Sequence, residues 1–194
     1  MSQKDVKDII RKARHIGKTE SAFKLAYWVT DEEGEILYNI AKDNNISLVF
    51  ESGTANGFSS CWFAGTGATV YTFDIVSRPK IWAKSKELET LSSLINTHVV
   101  PFKDGISKVI PKDRKANAIF FLDGGHGYMD IKQEWDAIEP ILVSGDHVIL
   151  HDIMCMKRVA KFWRRILEDN KPNLEFKVIT TPRGIGHISV KGTK

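Results

Sequence analysis

The stretch Leu48-Val49-Phe50-Glu51-Ser52-Gly53-Thr54-Ala55-Asn56-Gly57-Phe58-Ser59-Ser60 gathers a carboxylate, two glycines and several hydroxyls behind an apolar run. A second carboxylate, Asp74, closes the next apolar run, 23 residues after Glu51. A small-residue loop between a strand and a helix brings backbone close to a ligand and offers it free N–H groups. An acid about 20 residues further on is where a nucleotide-binding βαβ unit places its ribose-binding group. The chemistry implied is the holding of a nucleoside-bearing cofactor at the carboxyl ends of parallel strands. A second set of groups follows two later apolar runs: Leu122-Asp123-Gly124-Gly125-His126-Gly127-Tyr128, and Val148-Ile149-Leu150-His151-Asp152-Ile153. Two imidazoles and two carboxylates at adjacent strand ends can bind, deprotonate or ligate.

The elements needed to position these groups can be read from hydrophobic periodicity. Helices are expected at about 3–15, 31–44, 57–64, 79–95, 105–110, 129–138 and 155–168. Strands are expected at about 46–51, 69–74, 98–102, 117–123, 146–152, 174–180 and 185–190. The run Ala118-Ile119-Phe120-Phe121-Leu122 is apolar throughout, as a strand buried on both faces should be. Alternating strands and helices with a hairpin around Pro182-Arg183-Gly184 predict an α/β protein with a doubly wound, mostly parallel sheet. In such a sheet neighbouring strand ends converge on one crevice, which should unite Asp123, His126, His151 and Asp152.

Composition narrows the class. The 194 residues are 42% hydrophobic and 27% charged, with net charge +4, which suits a globular domain with a substantial core. No run is long and apolar enough for a bilayer, and the first 18 residues lack the apolar core of a signal peptide. Two cysteines, Cys61 and Cys155, both expected on helices, argue against a disulfide framework and for a reduced, cytoplasmic location. Lys157, Arg158, Lys161, Arg164 and Arg165 alternate with Val159, Phe162, Trp163, Ile166 and Leu167, the pattern of a solvated helix face rather than a nucleic-acid surface. No membrane or nucleic-acid partner is expected; self-association is left open.

The glycine spacing does not meet the G-x-G-x-x-G dinucleotide pattern, and there is no G-x-x-x-x-G-K-[ST] phosphate loop. The segment resembles instead the class I S-adenosylmethionine-dependent methyltransferases, whose first strand ends in an acid followed by roughly E-x-G-T-x-x-G-x-S. Glu51, Gly53, Thr54, Gly57 and Ser59 match; Ala55 departs, and its methyl calls for a negative φ. Such a cofactor has a sulfonium and a ribose but no phosphates, so carboxylates and backbone suit it better than a lysine cradle. Glu51 is expected near its cationic methionyl end, Asp74 on the ribose hydroxyls and Ile75 against the adenine.

The phrase D-G-G-H-x-Y followed by a strand ending in H-D resembles more closely a family of small O-methyltransferase-like proteins with sugar- and antibiotic-tailoring members. The resemblance implies a Rossmann-like seven-stranded sheet with one antiparallel strand over residues 46–194. Residues 1–45 are then an N-terminal helical extension. It places an adenine-contacting residue near Asp104, for which an N-cap is the plain structural alternative, and a cofactor contact at Asp123. It carries a divalent-metal role (magnesium or manganese) to Asp123, His151 and Asp152, although an imidazole departs from all-oxygen ligation. His126 is the first choice for general base and His151 the second; either could instead only brace backbone. The activity implied is O-methylation of a small hydroxylated acceptor. Alternatives are a nucleic-acid or protein methyltransferase and a non-catalytic adenosyl-binding protein. Tyr27, Trp28, Tyr128 and Met154 are candidate walls for the acceptor.

Overall fold

A computed structural model describes residues 2–18, 29–78, 80–84, 86–111, 113–114 and 117–192. Seven strands, β1 (Leu48–Ser52), β2 (Thr69–Asp74), β3 (Ile95–Val99), β4 (Ala118–Leu122), β5 (His147–Leu150), β6 (Leu174–Ile179) and β7 (Ile185–Val190), form one sheet. Their order is β3-β2-β1-β4-β5-β7-β6. β7 runs antiparallel to both of its neighbours, and every other pairing is parallel. The chain builds outward from β1 to β3 and then returns to the far side of β1 with β4. The strand order therefore reverses between β1 and β4, the point at which an open α/β sheet leaves a crevice for ligands.

Strand parity sorts the core. Val49, Val70, Ile119, Phe121 and Ile149 pack with Val6, Ile10, Leu37, Trp62 and Phe63 on one face. These come from α1 (Gln3–Lys18), α2 (Asp31–Asp43) and α3 (Phe58–Ala64), with Leu88 and Leu91 of α4 (Lys86–Ser92) beside them. Phe50, Phe73, Phe120, Leu122, Val148 and Leu150 point the other way. They meet α5 (Phe102–Val109), α6 (Tyr128–Ile138) and α7 (Lys157–Glu168). All five residues of β4 are buried, as expected for a strand covered on both faces. The basic residues of α7 are exposed while Val159, Phe162, Trp163 and Ile166 are buried; Leu167, expected on the apolar face, is exposed.

Some boundaries differ from expectation. The third strand was expected at 98–102 but occupies Ile95–Val99, because Pro101 is the N-cap of α5 and Phe102 already belongs to that helix. Proline presets φ for a helix start and cannot donate to a strand ladder. The helix expected at 79–95 is a 3-10 turn over Ile81–Lys84 followed by α4. Cys155 lies in the turn before α7, not on it. Both cysteines are free. No helix among the described residues is long and apolar enough to cross a membrane.

Candidate active site

The loop after β1 is shaped by two left-handed glycines, Gly53 at φ 91° and Gly57 at φ 85°. A Cβ on Gly53 would lie 2.5 Å from the Asp123 carbonyl oxygen, and one on Gly57 would lie 2.1 Å from the Trp82 ring. Only glycine lets the ends of β1 and β4 approach this closely. Ala55 does not take the negative φ expected of it: it is left-handed at 42°. Two contacts hold it there. Its N–H donates to Asp74 Oδ2 at 2.8 Å, and its carbonyl accepts from Lys80 Nζ at 2.7 Å. A non-glycine residue in this region costs of order 1–2 kcal/mol, which these bonds offset.

A cleft of about 750 Å³ opens over the β1–β4 junction. Its walls carry Gly53, Ala55, Asp74, Ile75, Asp123 and His126 of the expected set. Ile75 is 74% exposed, an apolar side chain standing free at the cleft edge. Asp74 also accepts from the Val76 N–H at 3.1 Å, which orients its carboxylate toward the opening. A smaller recess on the other side of the loop is lined by Thr54, Gly57, Ser59 and, again, Asp123.

Two expected cofactor contacts fall elsewhere. Glu51 is wholly buried and does not line the cleft. It shares the parity of Val49, so its side chain turns toward α3, where the Ser59 and Ser60 hydroxyls both donate to it. Burial pushes its carboxyl up to about 7, against the pull of these hydroxyls and Thr72. Glu51 therefore supports the loop from beneath, and the Ser59 hydroxyl is spent on it. Asp104 is exposed in the first turn of α5 and lines no part of the cleft. A carboxylate there favours the positive end of the helix dipole.

The imidazoles and carboxylates do converge, with their roles divided differently from expectation. His126 Nε2 lies 2.9 Å from Asp152 Oδ2 and 3.7 Å from Asp123 Oδ1, with 36% of its side chain exposed into the cleft. His151 is enclosed, its side chain only 1% exposed. Its Nε2 faces Glu33 Oε2 at 3.3 Å, while Nδ1 faces Asp123 Oδ1 at 3.1 Å and Asp152 Oδ1 at 3.3 Å. Burial alone would lower its pKa; Asp123, Glu33 and Asp152 together raise it to about 10. His151 is thus enclosed among three carboxylates and does not line the cleft, so the structure places it as a brace behind the site rather than as the base or metal ligand expected of it. Glu33, in turn, is held down at about 2, chiefly because the hydrogen bond and charge of His151 outweigh its burial.

Asp152 is buried at φ 66° and binds the Arg183 guanidinium through both oxygens, at 2.6 and 2.8 Å. His126, Arg183 and His151 overcome its burial and hold its carboxyl well below the usual range. The hydrogen bond to Asp152 is the main cause that raises the His126 pKa above its ordinary value.

The expected metal set was Asp123, His151 and Asp152; among the described residues, the group with donor atoms within 4.8 Å of one another is Asp123, His126 and Asp152. This set does not suit a divalent cation as it stands. Arg183 already forks both oxygens of Asp152, and His151 as a cation lies against Asp123 and Asp152. Glu33, Asp123 and Asp152 are thereby balanced by His151, Arg183 and, when protonated, His126.

Glu33 and Arg183 carry no local signal of a site. Thr30 and Glu33 form a reciprocal capping box at the start of α2, and Arg183 lies in the hairpin turn. Glu33 also accepts from the Thr181 hydroxyl at 2.7 Å, which ties α2 to that turn. Of the candidate acceptor walls, Met154 is 52% exposed beside the site, whereas Tyr128 packs on Phe162 at 5.8 Å. Tyr27 and Trp28 lie outside the described residues.

A family model for a methyltransferase domain matches residues 50–153. Among solved structures, the O-methyltransferase TomG from Streptomyces achromogenes, involved in tomaymycin synthesis and bound to S-adenosylmethionine, is 17% identical with a TM-score of 0.75. The match covers 95% of this chain and 90% of that one. The O-methyltransferase from Bacillus cereus in complex with S-adenosylhomocysteine is 14% identical, TM-score 0.71, over 95% and 91% of the two chains. The S-adenosylhomocysteine-bound methyltransferase PaMTH1 of Podospora anserina is 16% identical, TM-score 0.69, over 95% and 88%. At these identities the likeness is one of fold. No curated protein sequence matches the chain.

Proposed function

The chain belongs to the methyltransferase-domain family, and from that premise we propose that it moves the methyl group of S-adenosylmethionine to the oxygen of a small hydroxylated acceptor, with His126 as general base. The observation that carries this reading is the placement of His126. It is the imidazole that opens into the cleft, backed by Asp152, within one cavity with Asp74 and the β1 loop. A cavity of about 750 Å³ is in the range that accommodates a nucleoside-sized ligand.

The cleft residues suit this cofactor. Asp74 supplies the acceptor for ribose hydroxyls, Ile75 an apolar surface for a base, and Asp123 a negative charge toward a cationic centre. The wall includes Arg78 and Lys103 but no glycine-lysine phosphate cradle. The cofactor supplies an already activated methyl, so the protein has to align the acceptor and remove its proton. With the His126 Nε2–H held by Asp152, the other ring nitrogen, Nδ1, takes the hydroxyl proton as the oxygen engages the methyl carbon. Asp152 stabilises the imidazolium that results, and Arg183 fixes Asp152. Asp123 and Asp152 in turn are fixed against His151, whose other ring nitrogen faces Glu33. No step passes through a metal ion.

The test is calorimetric titration of S-adenosylhomocysteine into the wild type and Asp74→Ala. Binding by the wild type, weakened about 10- to 100-fold in the variant, is the expected result for loss of a charge-assisted hydrogen bond. No binding to the folded wild type would overturn the proposal.

A further inference from the structure

Three consecutive residues run along the loop after β1, and each meets one residue of it. Lys80 Nζ donates to the Ala55 carbonyl at 2.7 Å. The Ile81 N–H donates to the Asn56 carbonyl at 2.9 Å. The Trp82 ring occupies the space that a Cβ on Gly57 would need. Ile81 is buried in the core with Trp62 and Phe63 of α3, which anchors this strap. Of the three strap residues, Lys80 reaches the loop with a charged side chain.

The Lys80 contact matters because of the residue it holds. Gly53 and Gly57 take positive φ without steric cost, whereas Ala55, at φ 42°, carries a Cβ. An alanine left to itself returns to negative φ, and that rotation turns its N–H and its carbonyl away from their partners. The N–H partner is Asp74 Oδ2 at 2.8 Å. Ala55 is therefore pinned from both ends, by a carboxylate that lines the cleft and by an ammonium that does not. Lys80 is half-buried, and burial lowers its pKa against the pull of Asp74 and Glu51. Its ammonium has given up part of its hydration to reach this carbonyl, unlike a lysine on a solvated face.

We infer that Lys80 is a positioning residue for cofactor binding: it locks Ala55 in the left-handed conformation that aims the Ala55 N–H at Asp74 and so sets the Asp74 carboxylate for the ribose. Lys80 acts through Ala55 and does not touch the cofactor. The inference rests on the cofactor reading given above. A loop that leaves this conformation binds with an affinity reduced in proportion to the competent fraction. The brace is the counterpart of the alanine: glycine at this position would hold positive φ with no brace.

The experiment is a double-mutant cycle read by calorimetric titration of S-adenosylhomocysteine. The proteins are the wild type, Lys80→Met, Ala55→Gly and the double variant, with Lys80→Arg as the conservative replacement. Lys80→Met should weaken binding about 5- to 30-fold, the range that corresponds to releasing a left-handed alanine. Ala55→Gly should stay within about threefold of the wild type, and adding Lys80→Met to it should cost less than about threefold more. Lys80→Arg, which keeps a cationic donor, should fall between the wild type and Lys80→Met. A merely structural lysine would cost the same in both backgrounds, and that result would overturn the inference. Wild-type affinity in a folded Lys80→Met would overturn it as well. Should Lys80→Met not fold, the double variant decides: binding like that of Ala55→Gly supports the brace, and loss of fold or binding refutes it. In each of these refuting results the wild type still binds, so the cofactor reading stands. A folded wild type that does not bind would remove that reading and this inference with it.

Discussion

Both carboxylate oxygens of Asp152 are engaged by the guanidinium of Arg183, Oδ1 at 2.6 Å from Nε and Oδ2 at 2.8 Å from Nη2. This fork gives Asp152 its compensating charge inside the protein. It leaves His126 as the member of the cluster that can exchange a proton with the cleft. The pair also links the turn before β7 to the end of β5, so the site depends on the edge hairpin as well as on the strands beneath the cleft.

Arg183→Met should leave the buried Asp152 with one cation fewer, at a cost of about 3 kcal/mol in urea unfolding, the usual result of breaking a buried pair from one side. The wild type should retain its methyl-transfer rate after exhaustive treatment with EDTA, because Arg183 and His151 already neutralise the carboxylates that would ligate a metal. Full loss of activity on chelation, restored by manganese or magnesium, would refute that charge assignment.

As the proposed base, His126 must be neutral to act. Asp152 raises the His126 pKa above 6.5, so the protonated, inactive form persists to higher pH than in a free imidazole. The rate should therefore rise with pH through a midpoint above 6.5 and level off beyond it. His126→Asn should lower kcat about 100-fold and abolish that inflection. Proton NMR titration of the His126 ring gives the same midpoint independently of turnover. A midpoint below 6.5 would show that Asp152 does not hold the imidazolium.

Glu51 should make stability fall with rising pH. Its carboxyl is raised to about 7 from 4.5, so the folded state prefers the protonated form. The associated stability is fully present below the unfolded pKa and is lost as pH rises through 7, a swing of roughly 3 kcal/mol. Glu51→Gln should resemble the wild type at pH 4.5 and be the more stable at pH 8. Glu33 and Asp152, lowered rather than raised, respond in the opposite sense but are common to both proteins and cancel in the difference. Parallel melting-temperature profiles of the two proteins across this range would contradict the prediction.

Local chemistry was legible wherever one short segment carries both a strand and the turn that ends it. Gly53 and Gly57 announce the tight loop after β1, and Asp74 the acid at the end of β2, because turn conformation and strand ends are local constraints. The apolar run of β4 and the Pro182-Arg183-Gly184 turn are legible for the same reason. Side-chain direction was harder to read. Glu51 and Ser52 are neighbours, yet one turns under α3 and the other toward α6, and nothing in the segment says which face will hold the cleft.

By itself, then, the sequence determined the order of strands and helices, the glycine loop and the pair of polar strand ends. These rest on periodicity and backbone conformation, which act over a few residues. The tertiary structure alone decided that His126 meets the cleft while His151 is enclosed, because the partner that closes over His151 is Glu33, from a helix 118 residues earlier in the chain. It alone brought Arg183 onto Asp152 and Ser52 onto Glu134. Charges and hydrogen bonds between distant segments have no period in the chain; their partners exist only once the sheet has brought those segments together.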